Sequence, residues 1–299
     1  MTPGASLKRA HLIARPLHPH LSGMTQPYLT TLPDRAVIAI TGSEAHGFLQ
    51  RVLTQGPEGV KPGAAMFSAL LTPQGKVLAD LIIFDDGEAG LLFDVPASEA
   101  DALLKRFTLY RMRAEATITL RDDLSVIAAA GEPVEELRTV AVSAAPDPRN
   151  AEIGWRAIAP AGGPDSDVDA YHAARIQAGA PEMGPDYGPS EVFSTDVNHD
   201  LLSGINYKKG CFVGQEVASR MHRKGGVRKR TVRLKAETPL STGDPVSVGD
   251  TALGAITSTA GLDALARLRI DRLKDGLDAG DALTANDAPV SLSDTLDSL

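Results

Sequence analysis

Lys208-Lys209-Gly210-Cys211-Phe212-Val213-Gly214-Gln215-Glu216 carries the only cysteine in a chain of 299 residues. A thiol works as a nucleophile, metal ligand or redox centre through its thiolate, and ammonium neighbours favour that form. Glycines at 210 and 214 let the backbone bend and approach a ligand closely. A cysteine that only fills a core, as many free cysteines do, needs neither kind of neighbour. Cys211 and Lys209 are therefore the first candidates for chemistry, with Gly210, Gly214, Gln215, Glu216 and Arg220 around them. Gln215 and Glu216 also fit a helix start, where an acid is favoured by the positive end of the helix dipole.

The rest of the composition narrows the classes. Apolar content of 43% and charged content of 23% are those of a globular protein, and the length calls for two or three domains. No run approaches the roughly 20 apolar residues of a membrane span. One cysteine excludes an internal disulfide framework and any zinc or cluster site built from several cysteines of the same chain. If Cys211 holds part of an iron–sulfur cluster, a partner must supply other ligands. The histidines show no metal-ligand spacing, so no metal site is expected.

Charge is distributed unevenly. Residues 208–235 hold ten Lys/Arg and one acid, a net +9, so the remainder carries −17 (−8 − 9). Such a stripe suggests an anionic ligand or partner at 208–235, or strands whose charges are balanced by acids that folding brings near. Residues 1–23 contain no acid and carry Lys8, Arg9 and Arg15. That start resembles a mitochondrial transit peptide; alternatively translation begins at Met24. Either way 1–27 is expected to be disordered.

The pattern along the chain reads as strands at 35–40, 65–71, 77–84, 90–95 and 116–120. Helices are expected from Glu44 to about Thr54, capped by Ser43, and from Ser98 to Tyr110. Thr72-Pro73-Gln74-Gly75 is a hairpin turn. The order β-α-β-β-β-α-β is α+β, with an antiparallel sheet and helices on one side. A second unit begins near Ser125, runs through Trp155–Ala159, and includes a helix over 169–178. Residues 180–206 read as irregular loop, and a short helix follows at 214–221. From 228, short strands alternate with Thr242-Gly243-Asp244 and Gly249-Asp250 turns, the pattern of a small β-barrel. The expected domains are 28–124, 125–227 and 228–290, with a tail at 291–299.

The segment Lys209–Glu216 resembles the signature of YgfZ-type folate-binding proteins, relatives of the glycine cleavage T-protein (aminomethyltransferase). Leu70–Lys76 is similar to the family's hairpin, Tyr110-Arg111-Met112-Arg113 to its Tyr-x-x-Arg element, and Arg175–Pro181 to its Arg-Ile-x-x-Gly-x-Pro helix end. The resemblance covers nearly the whole chain from about residue 32. It implies a T-protein-like ring of antiparallel sheets and helices with a C-terminal β-barrel. It also implies a central hole for tetrahydrofolate or a one-carbon derivative, and a role in assembling or repairing iron–sulfur clusters of client proteins and, through them, in tRNA modification. The implied protein is a monomer of the bacterial cytoplasm, or of the mitochondrial matrix if 1–23 is a transit peptide. Candidate folate contacts are Trp155, by stacking, Tyr110, Arg113, Asp80, Arg175 and Gln177, with Gly210, Gly214, Gln215, Glu216 and Arg220 of the signature segment.

Two departures bear on activity. True aminomethyltransferases carry a Gly-Gly-x-x-Asp-Asp hairpin; here the segment is Gly75-Lys76-Val77-Leu78-Ala79-Asp80, with one acid lost. Where they carry an Arg-x-Glu pterin-binding helix, this chain has Arg175-Ile176-Gln177, and an amide accepts through only one atom. Both losses count against aminomethyl transfer, the first rival reading. The second rival, an RNA-binding accessory protein using residues 208–235, is weakened by the little aromatic content there, which offers no platform for base stacking.

Overall fold

The computed structural model describes residues 26–86, 90–164, 168–223 and 227–294. Nearly all of the expected N-terminal extension, and residues 295–299 of the tail, lie outside them. The elements are β1 (Tyr28–Thr31), β2 (Arg35–Thr41), α1 (Ala45–Val52), β3 (Ala65–Leu71), β4 (Val77–Asp85), β5 (Gly90–Pro96), α2 (Ala100–Arg111), β6 (Thr117–Leu120), β7 (Leu124–Ala130), α3 (Pro133–Val140), β8 (Ser143–Pro146), β9 (Trp155–Pro160), α4 (Asp169–Gln177), α5 (Gln215–Arg223), β10 (Lys229–Ala236), β11 (Pro245–Val248), β12 (Thr251–Ala260), β13 (Asp263–Arg269), α6 (Ile270–Asp278), β14 (Leu283–Ala285) and β15 (Ala288–Leu292).

The first sheet has the order β3-β4-β5-β2-β6, and the second β1-β7-β9-β8. Every pairing is antiparallel. Alternation along each strand sends side chains to opposite faces. On β2, Ile38 and Ile40 pack under α1 and α2, while Val37 and Ala39 meet the second sheet. Both faces of this sheet are covered, which is why its strands read as continuous apolar runs. The second sheet repeats the scheme, with Ile158 facing inward and Ala157 and Ala159 facing α3. The remaining strands close a barrel in the order β10-β13-β12-β11-β14-β15 around Val232, Leu234, Ile256 and Leu268. The α+β ring-type fold with a C-terminal barrel expected from the sequence is the fold observed. No helix among the described residues is long and apolar enough to cross a membrane.

Several local readings differ. Ser43 and Ser98 cap nothing: α1 and α2 start after Glu44 and Glu99 without a side-chain cap, and the Ser43 hydroxyl donates to Glu115 instead. β1 pairs with β7, so residues 28–31 belong to the second sheet. The long loop is shared: Met183, Tyr187, Val192, Val197 and Ile205 join the first sheet's core, and Ala180 and Leu202 the second's. The barrel ends at Leu292 rather than 290, with Asp294 fixed by Arg233. α3 escaped notice because Leu137 is its only buried residue. α6 was hidden by Gly276, which lets the helix lie on β11: a Cβ there would be 2.5 Å from Val248.

A buried ionic network joins the three bodies. Arg35 on β2 donates to Asp94 (2.5 Å) and Asp80 (3.0 Å). The fully buried Arg156 on β9 lies 3.2 Å from Asp94 and 3.1 Å from Glu182. Arg149 pairs with Asp147 and Glu182, each at 2.7 Å, and Tyr171 on α4 donates to Glu182. Arg175 pairs with Asp186 at 2.6 Å, and Asp186 accepts from Thr257 and Ser258 of the barrel. Burial pushes the Glu182 carboxyl up, but Arg149 and Arg156 outweigh it and hold it well below the usual range. Removing one partner from such a network leaves buried charge uncompensated. Glu182→Gln is accordingly expected to lower unfolding free energy by about 3–5 kcal/mol, read from urea midpoints.

His199 lies beside this network. The Tyr187 hydroxyl donates to Asp80 (2.8 Å) and so accepts from Nε2 (3.2 Å) of the fully buried His199. Burial depresses its pKa from 6.5 to about 4. The unfolded chain takes up this proton below about 6.5 and the folded chain refuses it until about 4. Stability from this group is therefore lost as pH falls across that window, by roughly 3 kcal/mol in total. His199→Gln should flatten that part of the acid-unfolding profile.

Candidate thiol site on the signature loop

The loop is anchored at its start by Asn206. Its N–H donates to Thr54 O (3.1 Å), and its Oδ1 accepts from the N–H groups of Lys208 (2.9 Å) and Lys209 (3.0 Å). Thr54 in turn is buried, donating to Gly204 O and accepting from Ala69 N. Phe212, the residue after the cysteine, sinks into the first sheet's core. Gly214 then adopts φ +78° and presses on the Thr72–Gly75 turn, where a Cβ would stand 2.5 Å from Thr72 O. Gly75, at φ +80°, lies against α5, where a Cβ would stand 2.9 Å from the Val217 side chain. Tyr207 stacks on His222, ring centroids 4.0 Å apart, tying the loop's start to the far end of α5.

Between these anchors Cys211 is exposed. Lys209 Nζ donates to Gln50 O at the end of α1, and the ammonium lies 5.0 Å from the Phe212 ring centroid. Burial lowers the Lys209 pKa to about 8, against the opposing pull of Glu58 and Cys211. At neutral pH it remains mostly protonated, a fixed cation beside the thiol. Among the described residues, no group of three or more His, Cys, Asp or Glu is placed to hold a metal ion. The site thus offers one accessible sulfur and one adjacent cation on a braced loop.

The other expected site residues are elsewhere. Gln215 opens α5, its N–H donating to Phe212 O, and Glu216 pairs with Arg220 on the exposed face (3.1 Å). Gly210 is exposed with nothing near its Cα hydrogens. Trp155 points to the outer face of the second sheet, packed near Leu137 with the Arg138 guanidinium 5.3 Å from its ring. Tyr110 packs against the first core, and Arg113 is exposed. Arg175 is committed to Asp186 and Ser258. Gln177 is exposed, 3.2 Å from Asp263 of the barrel. Asp80 is buried, with Oδ1 taken by Arg35 and Oδ2 by Met183 N and Tyr187 OH.

A pterin edge needs acceptors free to meet it. Asp80 is already committed, Gln177 faces solvent, and Trp155 stands on the opposite side of its sheet. Gln177 remains open to a ligand while Asp80 does not, and no step is derived through a folate.

The basic stripe is balanced in part by folding. Arg230 is paired bidentately with Asp200, Arg233 with Asp294 and Lys235 with Asp263. Sequence reading missed Gln50, Asn206 and Tyr207, whose roles come from backbone bonds and stacking that no motif marks. It also missed Arg35, Arg156 and Glu182, whose burial no local pattern announces.

Comparison with known proteins identifies the family and the fold. Residues 228–295 match the CAF17 C-terminal beta-barrel domain. The iron-sulfur cluster assembly factor IBA57, mitochondrial, of Mus musculus is 30% identical over 81% of this chain and 78% of its own length. The chain belongs to the IBA57 family. The human IBA57 protein is also 30% identical, over 77% of this chain and 72% of its own. The sequence resemblance to the YgfZ type was thus to a related family. The crystal structure of glycine cleavage system aminomethyltransferase T from Bartonella henselae superposes with a TM-score of 0.72 over 92% of this chain and 87% of that one. At 18% identity that likeness shows the fold shared with IBA57-type chains.

Two glycines of the loop separate mount from tip. Gly214→Ala should cost about 1–3 kcal/mol in urea unfolding, because a Cβ meets backbone at a left-handed position. Gly210→Ala should change stability by less than about 0.5 kcal/mol.

Proposed function

We propose that this IBA57-family chain is an iron–sulfur cluster assembly factor in which Cys211 is the side chain that meets the cluster or its carrier. The observation that carries this reading is the exposed lone thiol on a loop pinned by Asn206, Phe212 and Gly214, with the Lys209 ammonium beside it. One sulfur cannot hold a cluster by itself, since such clusters take about four protein ligands. The partner protein supplies the rest, and the cluster sits between the two as cargo. Lys209 offsets the negative charge of a thiolate-bound cluster. The relatives carry mitochondrial names, and the mitochondrial matrix is the compartment we propose. Aminomethyl transfer is left out: Asp80 is locked into the ion network and Gln177 lies at the surface.

The test is reconstitution of an iron–sulfur client enzyme from its apo form, with a cluster donor and this protein, wild type or Cys211→Ser. The variant should keep the wild-type urea midpoint and lose at least about tenfold in the rate of client activation. Full support of the client by Cys211→Ser overturns the assignment. Lys209→Met should give a smaller loss that high salt does not worsen, since its partner charge is local.

A further inference from the structure

A second candidate site lies at the other end of α5. A cleft of about 430 Å³ opens between the first-sheet hairpin, the long loop, the end of α5 and the barrel. Its charged lining is Lys76, Arg228, Lys229, Arg267 and Arg269 against Glu191 and Asp196, a net +3 (5 − 2). These cations come from segments far apart in sequence, so the cleft is not the basic stripe itself but what folding makes of its unbalanced part.

The partners divide the cations into two sets. Arg267 pairs with Glu191, and Arg269 with Asp271. Lys76 donates to the Glu191 carbonyl and lies 3.8 Å from the Phe193 ring centroid. Arg228 and Lys229 are exposed and have no carboxylate partner among the described residues. Lys76 likewise meets a carbonyl and a ring, not a carboxylate. Three cations therefore line the cleft without a salt bridge among the described residues, facing only the more distant charge of Glu191 and Asp196. Asp196 accepts from the Phe193 N–H; burial pushes its carboxyl up, opposed by that bond and by the nearby Lys76 and Lys229.

A second cavity of about 380 Å³ adjoins the first, sharing Lys229 and Arg267 with it. It runs on along the barrel past Gly243, Gly254 and Ala255, whose small side chains leave room for a chain. A compact anion would use only one of these cavities, whereas an extended peptide spans both. Nucleic acid is disfavoured because the face of Phe193, the cleft's only ring, is covered by Lys76.

We propose that this groove docks an acidic peptide segment of a partner protein, its carboxylates on Lys76, Arg228 and Lys229 and its backbone laid along the barrel past Gly254. The contact is separate from the thiol, about one helix length away, and needs no cluster. Because the whole chain carries −8, an acidic peptide has no general attraction to it, and saturable binding reports the local site.

Fluorescence anisotropy with a labelled Glu-Gly repeat peptide of about ten residues, titrated with the full-length protein, tests this. The expected result is single-site saturation that weakens with salt. Arg228→Gln combined with Lys229→Gln, and separately Lys76→Gln, should each weaken it by about tenfold or more. Lys105→Gln combined with Arg113→Gln, and Cys211→Ser, should leave it unchanged. Absence of saturation overturns the proposal, as does equal weakening by the Lys105/Arg113 control. If pyrophosphate displaces the peptide and binds more tightly than it does, the site belongs to a small anion and the peptide proposal fails.

Discussion

The salt-bridged contact of Glu182 with Arg149 and Arg156, closed by the Tyr171 hydroxyl, is the constraint on which the rest of the molecule depends. It stands where the two sheets, α4 and the long loop meet. Through Asp186 the same loop reaches Thr257 and Ser258 of the barrel. An apolar core can slide and repack. A network of four guanidiniums and five carboxylates has few arrangements in which each guanidinium meets a carboxylate. The relative placement of the three bodies is thereby set by directional contacts rather than by area alone. Asp80, just past the hairpin turn, is held inside this network by Arg35, the Met183 N–H and the Tyr187 hydroxyl.

The signature loop inherits this rigidity. It leaves the long loop after Ile205, itself part of the first sheet's core, and re-enters the fold at Phe212. Only Lys208 to Cys211 project. Held by Asn206 below and by the Gly75–Val217 contact beside it, the thiol is presented at a fixed place, while the lysine stem lies along Phe212. Such pre-organisation lowers the ordering cost of meeting a partner.

How much of this was legible in the sequence depended on whether the determining interaction was local. β2, β3, β4 and β5 were readable because both sheet faces are covered and the apolar runs are long. The Thr72–Gly75 turn was readable because Pro and Gly mark it. α6 was not, since Gly276 answers to Val248 across space, and a glycine in a polar stretch reads as a turn. Cys211 and Lys209 stood out by motif and lie together on the loop. Trp155, Gln177 and Asp80 were nominated on chemical aptitude and resemblance, but the direction each side chain takes is decided by strand parity and by partners over a hundred residues away. Arg175 shows the same limit: a basic residue on a helix gives no hint that Asp186 will bury it.

The lone exposed sulfur also has a redox consequence. No second cysteine exists in the chain to form an internal disulfide with Cys211. Once oxidised to the sulfenic acid, it must be capped by a thiol from outside, whether glutathione or another copy of the protein, or else proceed to the irreversible sulfinic state. The molecule therefore relies on the reductants of its surroundings, or on being occupied by a partner, to keep its sulfur intact.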